Sequence, residues 1–84
     1  MKMYEELCRV FKILKSRMNE DSLTKFKAYS FENLNDYHFS LGLVIRNDYL
    51  NSDSALYSMF KQMGIDDKDE ISALMIKLFY FYIK

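Results

Sequence analysis

Proline is missing from this chain of 84 residues, and glycine occurs only at Gly42 and Gly64. Sheets and hairpins depend on tight turns that these two residues serve. Their scarcity argues against a β architecture and for helices joined by short polar loops. A single cysteine, Cys8, excludes an internal disulfide and a thiolate zinc site, and suits a reducing compartment. One histidine, His38, leaves no histidine–cysteine couple beyond the distant combination with Cys8. No glycine-rich phosphate loop occurs, and no acids pair with histidines at metal-ligand spacing. Twelve basic and twelve acidic residues cancel, whereas a dedicated nucleic-acid binder carries a basic excess. No apolar run reaches the length of a membrane span. The opening Met-Lys-Met-Tyr-Glu-Glu lacks the apolar stretch of a signal peptide. The expectation is a cytoplasmic protein with no membrane contact, no cofactor, no metal and no enzymatic activity.

What is there is core material. Half of the residues are apolar or aromatic, and 29% are charged, a balance unlike that of a disordered chain. Eighty-four residues make one domain, 1–84, with a modest core and a thin margin of stability. Met3, Leu7, Val10, Phe11, Leu14 and Met18 recur at steps of three and four, which predicts an amphipathic helix over 3–18. Asn19-Glu20-Asp21-Ser22 breaks it, and Ser22 is placed to cap a short helix holding Leu23 and Phe26. Ser30 offers another cap, and the apolar spacing from Phe31 to Tyr49 predicts one continuous helix. Gly42 within it costs about 1 kcal/mol relative to alanine, so a neighbouring element is expected to approach closely there. The polar stretch 47–54 reads as a loop. Asp53 or Ser54 then starts a helix with Ala55, Leu56, Met59, Phe60 and Met63 on its apolar face, closed by Gly64 as a left-handed terminal residue. Asp67 and Glu70 form a capping box before a last helix with Ile71, Leu74, Met75, Leu78, Phe79 and Tyr82 inward. The predicted fold is all-α, a compact bundle of four to five short helices. Its core is expected to include Leu7, Phe11, Leu14, Leu41, Ile45, Phe60, Leu74 and Leu78.

Three groups of residues invite a functional reading. His38, Gly42 and Arg46, spaced by four, share one face of the predicted helix, with Asn47 adjacent. Such a face can hold a carboxylate or phosphate, or Arg46 can make a structural ion pair with Asp69 or Glu70. Asp66, Asp67, Asp69 and Glu70 form the densest acidic cluster. They can meet a basic partner or serve the amides and dipole of a helix start. The run Leu78-Phe79-Tyr80-Phe81-Tyr82-Ile83 is apolar on every side. With Phe79 and Tyr82 inward, Tyr80 and Phe81 must either point outward as interface anchors or belong to a helix covered on both sides.

The segment His38-Phe39-Ser40-Leu41-Gly42-Leu43-Val44-Ile45-Arg46-Asn47, followed by Tyr49, resembles a family of small helical bacterial proteins. Their central helix reads His-Phe-x-Leu-Gly-x-x-Ile-Arg-Asn before an aromatic. Gly64-Ile65 and Asp69-Glu70-Ile71-Ser72 match the family's second block, with Lys68 where it usually has proline and Tyr49 where it often has tryptophan. The resemblance covers about residues 31–84. Members are similar to immunity proteins found beside contact-dependent growth-inhibition and other polymorphic toxins. It therefore implies an inhibitor of the C-terminal toxin domain, commonly a nuclease, of a CdiA-like protein, acting through a stoichiometric protein–protein complex. On this reading His38, Gly42, Arg46 and Asn47 are structural. The toxin-binding candidates are Asp66, Asp67, Asp69, Glu70, Tyr80 and Phe81, because discriminating contacts fall outside a shared motif. Self-association into a homodimer stays open. The other readings are a small regulatory adaptor and a helical nucleic-acid-binding regulator.

Overall fold

The computed structural model describes residues 2–51 and 53–83. Five α-helices and one 3₁₀ helix follow one another: α1 Lys2–Arg17, α2 Glu20–Ala28, the 3₁₀ helix Phe31–Tyr37, α3 Leu41–Tyr49, α4 Ala55–Gln62 and α5 Lys68–Ile83. Among the described residues there is no strand. The all-α prediction is met, in a body of 34 × 21 × 20 Å.

The chain ends its helices with local devices. Asn19, not Ser22, caps α2: the Asn19 side chain accepts from the Ser22 amide at 2.7 Å. Ser54 caps α4 by accepting from the Tyr57 amide, while its own hydroxyl donates to the Tyr49 carbonyl at the end of α3. One residue thereby joins two helices across a turn whose Ser52 lies outside the described residues. Gly64, at φ +88°, closes α4. The Ile65 amide reaches back to the Phe60 carbonyl and the Gly64 amide to that of Lys61, each at 3.0 Å, the paired bonds of a Schellman ending. At the start of α5, Asp67 accepts from the Asp69 amide. Lys68, where the resemblance expects proline, occupies the first helical position, whose backbone N–H has no intrahelical partner in any case. Its ammonium lies over the Tyr57 ring, and Tyr57 also donates to the Asp66 carbonyl at 2.8 Å. The lysine thus holds this junction through its side chain.

The predicted continuous helix from Phe31 to Tyr49 is broken at residues 38–40. A continuous helix would direct the His38 carbonyl at the Gly42 amide. Here the Arg46 guanidinium donates to that carbonyl at 3.2 Å instead, and Ser40 sits at φ −104°, ψ −82°, outside the helical region.

Aromatic rings knit the core. Phe26, fully buried, contacts Tyr37 edge-on at 4.8 Å, Phe79 at 5.5 Å and Tyr80 edge-on at 5.8 Å. Phe11 joins Phe79 from α1 at 5.5 Å. These offset geometries suit the ring quadrupoles. Val10, Leu14, Leu34, Ile45, Leu50, Leu56, Phe60, Ile71, Met75, Ile76 and Ile83 complete the buried hydrophobic set. Four expected core residues sit further out. Leu7 and Leu41 are partly buried at its edge, and Leu74 and Leu78 are on the surface. The last two follow from the rotation of α5. Its buried face carries Ile71, Ser72, Met75, Ile76, Phe79, Tyr80 and Ile83, so the helix is turned from the face its hydrophobicity suggests. Ser72 is accommodated on that face beside Ile76, Tyr80 and Ile83. Its hydroxyl accepts from Arg46 at 3.0 Å and donates to the Asp69 carbonyl at 2.9 Å, so a polar side chain can be fully buried without an unmet hydrogen bond.

Candidate functional site

Two of the motif residues, Gly42 and Arg46, form a structural clamp between α3 and α5. Arg46, 14% exposed in its side chain, donates to the His38 carbonyl and to Ser72, and its Nε lies 3.4 Å from an Asp69 carboxylate oxygen. The expected pairing of Arg46 with Asp69 is present. It is not the buried pair imagined, because the Asp69 side chain is 67% exposed. Gly42 is buried where Ile76 of α5 approaches. A Cβ at Gly42 would stand 3.0 Å from the guanidinium, 3.5 Å from the Tyr37 carbonyl and 3.6 Å from Ile76. The close approach expected from the glycine is real. His38 lies in the break, not on α3, with its ring edge-on to Phe39 at 4.8 Å. Asn47 is exposed.

Tyr80 is not a surface anchor: it is 5% exposed, and its hydroxyl donates to the Tyr29 carbonyl at 2.6 Å. A tyrosine can be buried because that hydroxyl finds a partner, and here the partner is the C-cap of α2. Phe81 is 61% exposed, as expected. Asp66, Asp67, Asp69 and Glu70 are all exposed, but two of them carry local work, Asp67 as cap and Asp69 on Arg46. Phe81 and the acids occupy opposite ends of α5, roughly 20 Å apart at 1.5 Å per residue. They do not make one patch.

Phe81 belongs to a different assembly, which the sequence reading missed. Leu74, Leu78, Phe81 and Tyr82 recur at steps of three and four along α5, all on the surface. Tyr4, Leu7, Cys8 and Phe11 recur in the same way along α1. With Leu78, Phe81 and Tyr82 they line a groove of about 290 Å³. Tyr4, at its edge, is 69% exposed. Its phenol is held above the ordinary tyrosine range by its hydrogen bond to Cys8. Phe31 packs against Phe81 with the rings tilted and their centroids 5.4 Å apart, and extends the aromatic surface to the 3₁₀ helix. The signal for this surface was the apolar character of the last helix on every side. What was lacking was the Ser72–Arg46 bond that lets a serine share the buried side.

Beyond Phe31, a smaller cavity of about 150 Å³ opens between the 3₁₀ helix and α5. Among the described residues, no group of three histidines, cysteines or acids is arranged to hold a metal ion, and no helix is long and apolar enough to cross a membrane.

The sequence family described as a domain of unknown function (DUF6794) matches residues 5–82, and the chain belongs to that family. No curated protein and no solved structure matches it.

Proposed function

We propose that this DUF6794 protein is an immunity protein. It binds the C-terminal toxin domain of a cognate CdiA-like protein one-to-one and blocks it without turning over any substrate. The observation that carries the reading is the groove between α1 and α5, flanked by the exposed rings of Tyr4, Phe81 and Tyr82. A small domain that leaves contiguous aromatic surface in water marks a protein–protein contact, and aromatic side chains supply the anchors of such contacts. The resemblance of the His38–Asn47 segment to toxin-associated immunity proteins supplies the class of partner. The clamp made by Arg46 and Gly42 leaves that motif to the fold and the α1/α5 surface to discrimination, the division of labour that partner specificity favours.

The acids before and within the start of α5 have a secondary part. Nuclease toxins present basic surfaces to their nucleic-acid substrates, and Asp66 and Glu70 can steer the approach of such a surface. The test is co-expression of the C-terminal domain of the upstream gene's product in cells with and without this protein. Growth is expected with the wild type and lost with Phe81→Asp. Death of cells carrying the wild type would refute the reading.

A further inference from the structure

The cavity between the 3₁₀ helix and α5 has a volume of about 150 Å³, the scale of an engineered cavity that takes up one benzene ring. It is below the range of a pocket for a drug-sized ligand. Its walls are Phe31, Leu34, Ala73 and Ile76, and its polar groups are Glu32, Asn35, His38 and Lys77. An occupant is therefore one ring in size, with an apolar body against the four apolar walls and a polar edge toward Glu32, Asn35, His38 and Lys77.

The charges narrow it further. Lys77 and Glu32 cancel, so the pocket offers no net charge to hold a cation or a carboxylate. A neutral group that both donates and accepts satisfies both signs. A phenol can donate to the Glu32 carboxylate and accept from Lys77, Asn35 or His38. We infer that this cavity is a receptor for a phenol ring, and that its source is a tyrosine side chain of the bound partner. The position supports that source. Phe31 walls the cavity and packs against Phe81, so the cavity adjoins the aromatic surface proposed above as the contact face. Binding energy at interfaces concentrates where one partner's ring fills a desolvated pocket of the other. The assignment to a partner rests on the protein-binding reading, whereas the chemistry of the cavity does not.

The experiment titrates the isolated protein with N-acetyltyrosine amide, N-acetylphenylalanine amide and p-cresol, following backbone amide resonances. N-acetyltyrosine amide is expected to shift the amides of Asn35, Ala73 and Lys77 saturably at millimolar concentration. The phenylalanine analogue should bind at least about tenfold more weakly, the worth of one hydrogen bond to a charged group. Lys77→Ala, at an exposed position, should weaken the tyrosine probe without lowering the melting temperature, and Ala73→Leu should abolish binding by filling the space. Absence of saturable shifts with the tyrosine amide and p-cresol, or equal binding of the two amides, would overturn the phenol assignment. Tighter binding of p-cresol than of the tyrosine amide would overturn the partner side chain as the source and leave a free phenol as the ligand. None of these outcomes depends on a toxin complex, so failure here and failure of the immunity reading are separable.

Discussion

Three acceptors converge on the Arg46 guanidinium: the His38 carbonyl, the Ser72 hydroxyl and the Asp69 carboxylate. The first two are part-buried and the third is open to water, so their contributions differ. An ion pair with so exposed a carboxylate adds little. Hydrogen bonds from a charged donor are worth about 1.5–3 kcal/mol each before reorganisation. Arg46→Ala should thus lower stability by about 2–3 kcal/mol, less than loss of a buried ion pair, and Asp69→Asn by well under 1 kcal/mol. Urea unfolding of both variants checks the ranking. An Asp69 variant as damaged as the Arg46 variant would contradict it. Tyr80→Phe removes the bond to the Tyr29 carbonyl and should cost about 1 kcal/mol, with no loss of partner binding. Two other tyrosines set an alkaline limit. The Tyr29 phenol is raised first by its hydrogen bond to Asp36, and Tyr37 first by burial. Each folded-state value lies above the unfolded one, so the folded chain holds more protons in the window between them. Stability is complete below the ordinary tyrosine value of about 10 and falls as pH rises through the folded values. Tyr37→Phe should flatten the fall in the urea midpoint over that range, and an unchanged slope would rule Tyr37 out as a cause.

The ends of the helices are governed by single residues whose chemistry is local, and those of α4 and α5 were legible, whereas Asn19 takes the place expected of Ser22 and Ser30 makes no cap hydrogen bond. Gly64 at φ +88° is the case with the sharpest consequence. An alanine there meets no neighbour within 4 Å, so the cost is conformational only. Gly64→Ala should destabilise by about 1–2 kcal/mol with binding intact, measured by thermal melting. Ser54 and Asp67 were likewise readable, because a cap needs only its own side chain and the next few amides. The break at residues 38–40 was not readable, since it depends on Arg46 reaching back to a carbonyl that local periodicity assigns to Gly42. The rotation of α5 was hidden for the same reason. Leu74 and Leu78 look like core residues beside Ser72, and the bond from Arg46 is what lets a serine share the buried face with Ile76 and Tyr80. Of the two aromatics expected to point outward, Phe81 does and Tyr80 does not. Both are aromatic neighbours on one helix, and the difference between them is which one meets the Tyr29 carbonyl.

At the scale of the whole molecule, the core is a layer of rings from Phe11 through Phe79 and Phe26 to Tyr37, and α5 supplies surface on both sides of it. One side of that helix closes the core. The other, with α1, leaves Tyr4, Leu78, Phe81 and Tyr82 in water. The acidic start of α5 lies at the far end and can act on association more than on the final contact. Asp66→Lys with Glu70→Lys is the clean variant for this, because Asp67 caps the helix and Asp69 meets Arg46. It should slow association with a basic toxin domain, more at low salt, and leave dissociation unchanged in stopped-flow measurements. The most direct test of the central claim is a calorimetric titration of the C-terminal domain of the upstream gene's product with wild type and with Phe81→Asp. Saturation at one-to-one by the wild type, and an affinity lower by about thirtyfold or more for a variant that melts as the wild type does, is the predicted result. Equal binding by the two proteins, or no binding by the wild type, would contradict it.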